Sequence, residues 1–241
     1  MTASSISKFA PRPSCGTCEA RALCFCQSLA GSDAAGLLRP TVLHLSAGTE
    51  FLRLGEAAPD VLVVLDGWVQ TYALLGDGRR QVLTFALRGD VLALGINPTA
   101  LPYAAQALTE VSLCVIARSR LLDACRIHPR LSFDLLEVVS RDCVLAYEHL
   151  TSVGRCTARE RIARLLLELS FRARAAYPEA HAPTIPLPLT QTHIGDALGL
   201  TAVHTNRMLA GLRDDGILSL SRRTLCVLDG QRLAAAAGLV G

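Results

Sequence analysis

Between Pro129 and Gly154 nothing interrupts a helical pattern. Proline is a natural first-turn residue, and the run from Arg130 to about Val153 makes roughly 36 Å of helix at 1.5 Å per residue. A strand-rich segment precedes this helix and a second helical segment follows it, so it joins two parts of the chain. Leu135, Val138, Val139, Leu145 and Ala146 form an apolar stripe at helical spacing, with Asp142 and His149 on or beside it. Within one domain such a stripe is core. On a helix that joins two domains it reads as a symmetric seam, and these seven residues are assigned to a homodimer interface.

Ahead of the helix, from about Leu37 to Ala117, short apolar or alternating runs read as strands: VLHL, VLVVLDG, WVQTYALL, QVLTFAL and VSLCVIA. Gly48, Gly55, Gly67, the Gly76-Asp77-Gly78 run and Gly89-Asp90 punctuate them as turns. The spacing predicts a small all-β barrel or roll, with a short helix over Ser119–Arg126. Behind the long helix, Gly154 and Thr157 mark a break and a second amphipathic helix covers 158–176. The proline-rich YPEAHAPTIPLPLT reads as a linker.

The last third has the grammar of a helix-turn-helix. Thr190 caps a first helix with Ile194, Ala197 and Leu198 inward, and Gly199 supplies the turn. Thr201 caps a second helix that buries Val203 or Thr205 with Met208, Leu209 and Leu212. Its outer face carries Ala202, His204, Asn206 and Arg207. Arginine can bond guanine O6 and N7 together, and asparagine does the same for adenine. ILSLSRRTLCVLD then reads as a two-stranded wing with Arg222 and Arg223 at its turn for phosphates. Thr201, Val203, His204, Asn206, Arg207, Arg222 and Arg223 are the candidate face for double-stranded DNA. From Arg155 onward there are 11 arginines against 7 acidic residues, a modest basic excess in keeping with that role.

Near the start, Cys15, Cys18, Cys24 and Cys26 crowd into SCGTCEARALCFC. C-x2-C-x5-C spacing brings three thiols together through short loops, and thiolates held so bind a metal or an iron–sulfur cluster. With Cys26 as fourth ligand the set is a closed tetrahedral zinc site. No apolar run approaches a membrane span and the opening MTASSISKFAPRPS has no signal-peptide core, so a cytoplasmic protein with no membrane partner is expected. Nine cysteines in such a chain are thiols or ligands in preference to disulfides. Cys125, Cys143, Cys156 and Cys226 are expected as small buried hydrophobes. No nucleotide fingerprint or second cluster motif supports a redox enzyme.

Strand roll, long helix and winged helix-turn-helix, in that order, resemble the cyclic-AMP receptor/FNR family of transcription regulators over nearly the whole chain. FALRGDVLAL is similar to the family's glycine–acid hairpin, and LGLTAVHTNRML to its recognition helix. The expected fold is α+β: a cysteine-rich segment (1–30), a β-roll sensor (31–128), a dimerisation helix (129–154) and a winged helix-turn-helix (155–241). The function implied is regulation of transcription at palindromic promoter DNA, without enzymatic activity. The cysteines resemble the oxygen-responsive FNR branch, which sets three N-terminal thiols at this spacing and a fourth far downstream. That match implies a [4Fe–4S] cluster on Cys15, Cys18, Cys24 and Cys114, shielded by Leu23 and Phe25. By the same likeness Gly76–Arg80 is a loop for RNA polymerase. GDVLALGINPTALPYAAQAL lacks the Arg and hydroxyl that the nucleotide-binding branch uses for its phosphate. Two departures stand out. Val203 occupies the place of a glutamate in the recognition helix, and Ala146 the place of a second acid beside Asp142 in the seam.

Overall fold

The computed structural model describes residues 6–11, 15, 18–29, 34–95, 100–178 and 184–239. They fall into two compact units, Met1–Ala73 with Thr84–Cys143 and Leu74–Leu83 with Val144–Gly241. In chain order the first unit has β1 (Ile6–Pro11), two 3-10 turns (Glu19–Leu23 and Phe25–Leu29) and α1 (Ala34–Leu38). Strands β2 (Thr41–Leu45), β3 (Glu50–Leu52), β4 (Asp60–Asp66), β5 (Val69–Leu74) and β6 (Arg80–Ala86) follow. Next come β7 (Val91–Leu92), β8 (Ala104–Ala107), β9 (Val111–Ala117), α2 (Arg118–Ile127) and the start of α3 (Arg130–Arg155).

The strands form two sheets, ordered β1-β2-β9-β4-β7 and β3-β8-β5-β6. β9 is central in the first, with Cys114 opposite Val42 on one side and Val63 on the other. Successive strand side chains point to opposite faces, and this sheet uses both. Leu62, Val64, Leu113 and Val115 enter one apolar cluster. Val61, Val63, Cys114 and Ile116 enter a second, with Phe25, Leu29 and Leu38 from the N-terminal segment and Leu121, Leu131 and Val138 from α2 and α3. Cys114 therefore sits in the layer between sheet and N-terminal segment.

The second unit contains the rest of α3, α4 (Ala158–Ala176), β10 (Thr184–Pro186), α5 (Gln191–Leu198) and α6 (Ala202–Asp214). It ends with β11 (Leu218–Ser221), β12 (Thr224–Val227) and α7 (Gly230–Ala236). α4 buries Ile162, Leu165, Leu166, Leu169 and Ala173, which recur every three or four residues along one stripe. The β5–β6 tip belongs here too, where Gln81 Nε2 donates to the carbonyl of Ala197 at 2.9 Å.

Three expectations change. Gly154 does not end the long helix, which continues to Arg155; a single helical glycine costs about 1 kcal/mol, which packing absorbs. Part of the proline-rich linker is strand β10, paired with β12 from Thr184 to Pro186, while 179–183 lie outside the described residues. β8 has the sequence AAQA, whose lack of β-branched residues hid a strand that pairs on both edges.

The break between α3 and α4 is made by a reciprocal cap. Thr157 Oγ1 accepts from the Glu160 N–H at 3.4 Å, and the Glu160 carboxylate accepts from the Thr157 N–H at 2.6 Å. Those Thr157 bonds hold the Glu160 carboxyl below its ordinary value. A depressed carboxylate stabilises the folded state above its unfolded pKa and loses that contribution as pH falls through the folded one. We expect Thr157→Ala to lower Tm by roughly 2–4 °C at neutral pH. The gap from wild type should narrow as thermal scans move below about pH 4.

Candidate metal and nucleic-acid sites

Short 3-10 turns place the N-terminal thiols. The Cys18 N–H donates to the Cys15 carbonyl at 3.3 Å, the Arg21 N–H to the Cys18 carbonyl at 3.1 Å, and the Gln27 N–H to the Cys24 carbonyl at 3.2 Å. This winding buries Cys15, Cys24 and Cys26, and leaves Cys18 at intermediate exposure. Cys24, Cys26 and Cys114 belong to one apolar cluster although some ninety residues separate the tail from the strand. The Cys26 thiol is pushed far up, first by its hydrogen bond with Cys24, then by burial and by the charges of Cys24, Cys114 and Cys15. Cys24 and Cys26 are thus hydrogen-bonded neighbours, with Cys114 and Cys15 within electrostatic range of Cys26. Cys26, the fourth ligand of the alternative zinc set, is buried in the same cluster as Cys24 and Cys114. Among the described residues no set of three potential ligands already stands in place for a metal ion. The donor chemistry still suits one, because buried thiols are soft ligands. None of the nine cysteines is joined in a disulfide.

The glycine–acid hairpin seats this segment. Gly89 has φ +94°, and a Cβ there would lie 2.4 Å from Leu23 Cβ. Only glycine allows that backbone and that approach. Beside it Arg88 reaches Glu19 at 3.7 Å and Asp66 at 3.2 Å. Of the two residues expected to shield the thiols, Phe25 is buried and Leu23 half-buried against Gly89. Cys125, Cys156 and Cys226 are partly exposed and Cys143 fully so, contrary to the expectation of burial. Gly89→Ala should displace the segment, so that Cys24 in the reduced, metal-free protein alkylates several-fold faster by mass spectrometry. An unchanged rate would show that Gly89 does not seat it.

In the second unit Thr190 Oγ1 accepts from the His193 N–H at 3.1 Å, and His193 Nδ1 accepts from the Thr190 N–H at 3.3 Å. Burial lowers the His193 pKa, which favours the neutral ring that this acceptor role requires. Gly199 adopts φ 66° at the turn, as its place in the motif predicts. Gly195 was not singled out, yet a Cβ there would meet the Leu200 carbonyl at 2.5 Å, so the turn needs glycine at both places. Thr201 Oγ1 caps α6 by accepting from the His204 N–H at 3.2 Å. Thr205, not Val203, faces inward with Leu209 and Leu212, and Val203 is 82% exposed. Asn206 and Arg207 are exposed and His204 partly so. Asn206 Oδ1 accepts from Gln191 Nε2 at 2.9 Å.

Asn206 shares one cleft of about 250 Å³ with Gln191, Arg213, Arg222 and Arg223, which brings recognition helix and wing together. Arg222 and Arg223 form the two-residue turn between β11 and β12, at φ 47° and 62°. Such a turn prefers Asn-Gly, and the left-handed region costs a side-chain-bearing residue about 1–2 kcal/mol.

The residues named for the α3 seam divide. Leu135 and Val138 pack into the core of the first unit. Val139, Asp142 and Ala146 are exposed, while Leu145 and His149 are partly buried. The continuous exposed apolar row is instead Leu136, Val139, Cys143, Ala146 and Leu150, at alternating steps of three and four. Counting heptads, not only apolar residues, would have separated the two faces.

Comparison with known proteins agrees with this architecture. Residues 160–236 match the Crp-like helix-turn-helix domain and residues 42–128 the cyclic nucleotide-binding domain. The nitrogen fixation regulation protein FixK of Bradyrhizobium diazoefficiens is 30% identical, over 92% of this chain and 93% of its own. The chain belongs to the CRP/FNR family of transcription regulators. It is a DNA-binding regulator and not an enzyme. The transcriptional activator protein Anr of Pseudomonas aeruginosa is 29% identical over 95% of this chain and 94% of its own. FixK2 from Bradyrhizobium japonicum superposes with TM-score 0.77 at 33% identity, over 84% of this chain and 99% of that one. No helix among the described residues is long and apolar enough to cross a membrane.

If the strained wing exists to present cations, replacing Arg222 and Arg223 by Asn and Gly separates stability from binding. The double variant should unfold at higher denaturant concentration yet bind duplex DNA more weakly. The slope of log affinity against log salt should shrink by roughly 1–2. Unchanged DNA affinity would show that the wing makes no phosphate contact.

Proposed function

We propose that this regulator is oxygen-responsive and that Cys15, Cys18, Cys24 and Cys114 hold a [4Fe–4S] cluster. The observation that carries the proposal is the burial of tail thiols in the same apolar cluster as Cys114, a strand residue otherwise remote from them. When bound, such a cluster supplies a cofactor that assembles without oxygen and is degraded by it. The chain's own part is to hold four thiolates in a dry place. Phe25 covers the site, and the Leu23 segment rests on Gly89. Stretch 90–108 contains no arginine, so a cyclic nucleotide is not the expected signal.

Two copies pair through α3, with Leu136, Val139, Cys143, Ala146 and Leu150 forming the apolar seam. Asp142 lies exposed beside that row. Two aspartates facing each other across a two-fold repel when close, which weakens pairing until another contact outweighs it. Paired copies present two α6 helices about one turn of DNA apart, as a palindromic site requires. There Arg207 reads guanine, Asn206 adenine, and Val203 at most meets a thymine methyl. Thr201 and His204 flank the helix start, and Arg222 and Arg223 contact phosphates. The Gly76–Arg80 loop is the surface for RNA polymerase.

The second reading is a structural zinc site in a regulator that senses another redox signal. It is favoured by the burial of Cys26 beside Cys24. Anaerobic purification with metal and sulfide analysis separates the two. The cluster reading expects a brown protein with about four irons per chain, bleached by air, whose duplex affinity falls at least tenfold on bleaching. In that reading Cys114→Ala and Cys18→Ala lose iron, and Cys26→Ala retains it. Colourless protein carrying zinc, lost in Cys26→Ala and kept in Cys114→Ala, would overturn it.

A further inference from the structure

The second unit contains a cavity of about 340 Å³ that neither the thiol site nor the DNA face uses. It lies between the C-terminal half of α3 and α4, with Leu198 at the end of α5 and Leu239 beyond α7 also lining it. Three of its lining residues carry a buried polar atom with no partner: His149 Nε2, Ser152 Oγ and Arg164 Nε. The Ser152 side chain is almost wholly inaccessible. Buried polar groups are nearly always paired, so three exceptions around one cavity point to an absent partner.

We propose that this cavity binds an amphipathic organic monocarboxylate. Arg164 Nε–H is a donor only, and the Ser152 hydroxyl can donate as well. The missing partner must therefore bring acceptors, and a carboxylate offers several on one planar group. The lining holds three guanidiniums, Arg161, Arg164 and Arg172, with the carboxylates of Glu148 and Glu168. Arg172 is occupied by Glu168 at 2.6 Å, and Arg161 by the carbonyls of Cys156 at 2.9 Å and Leu198 at 3.1 Å. Arg164 reaches only the Gly238 carbonyl, at 3.5 Å, through Nη2, and Glu160 lies near it. Leu145, Leu165, Leu198 and Phe171 line the remainder, which suits an aliphatic or aromatic body. The volume is at the small end of those that enclose small molecules.

A second copy of the chain does not account for the cavity. Leu145, His149 and Ser152 lie roughly 130° around α3 from the exposed Leu136–Leu150 row, at 100° per residue. A partner seated on that row leaves this face uncovered. Because α3, α4 and the end of α5 all contribute, occupancy couples to the position of the helices that carry α6, and ligand and DNA affinities are linked.

Isothermal titration of the full-length chain with octanoate and 4-phenylbutyrate, each paired with the alcohol of the same carbon skeleton, tests this. At least one acid should bind, with its alcohol tenfold or more weaker. Ser152→Ala and Arg164→Gln, each checked for folding by circular dichroism, should weaken the acid at least fivefold and leave the alcohol unchanged. Phe171→Ala, an exposed rim change, should weaken acid and alcohol alike. The proposal fails if acid and alcohol bind equally, if neither acid binds at millimolar concentration, or if binding survives both polar substitutions undiminished. None of these readouts depends on metal content.

Discussion

Everything proposed for the sensing half rests on the dry seating of a short cysteine-bearing segment against one strand of the roll. Two 3-10 turns have little stability of their own. They hold their shape because Phe25 and Leu29 are buried with Val61, Val63 and Ile116. Gly89 lets the Leu23 backbone approach closer than any side chain would permit. The hydrogen bond with Cys24, and then the burial that accompanies this packing, hold the Cys26 thiol in its neutral form. Buried thiolates without a cation are costly, and a metal-bearing core removes that cost. Under the proposed cluster reading, tail placement and metal binding are two aspects of one equilibrium.

The DNA-reading half is built on different terms. Its helices are capped by threonines at 157, 190 and 201, and its tight turn depends on small residues at 195 and 199. Among the described residues of this half, the wing departs from local preference, placing two arginines where glycine or asparagine is easier. Strain of this kind persists where the surroundings over-determine it, and at functional positions it is part of the work done there.

Much of this was legible in the sequence, and the exceptions have physical causes. Continuous apolar runs marked β4 and β9, which bury both faces, and helical periodicity marked α4 and both helices of the helix-turn-helix, which bury one. β8 escaped notice because alanine and glutamine carry no strand signal, and β10 because its prolines read as linker. The long helix was recognised but its faces were not. Leu135 and Val138 look like seam residues in a linear reading, yet packing against the roll claims them. Cysteine spacing identified three of the thiols. It could not show that Cys26 is buried with Cys24, because one turn of 3-10 winding decides which sulfurs turn inward. The cavity beside α4 left no trace in the sequence, for its lining comes from segments as far apart as Leu145 and Leu239.

The central claim is that sulfurs of the tail and of β9 engage one inorganic core, whose loss in air releases them together. Differential alkylation of the anaerobic protein, before and after air, with site-by-site mass spectrometry, addresses it directly. The account predicts that Cys15, Cys18, Cys24 and Cys114 resist labelling without oxygen and become reactive at one common rate after exposure. If Cys114 labels identically in both conditions while the tail cysteines change, the strand takes no part and the account is wrong.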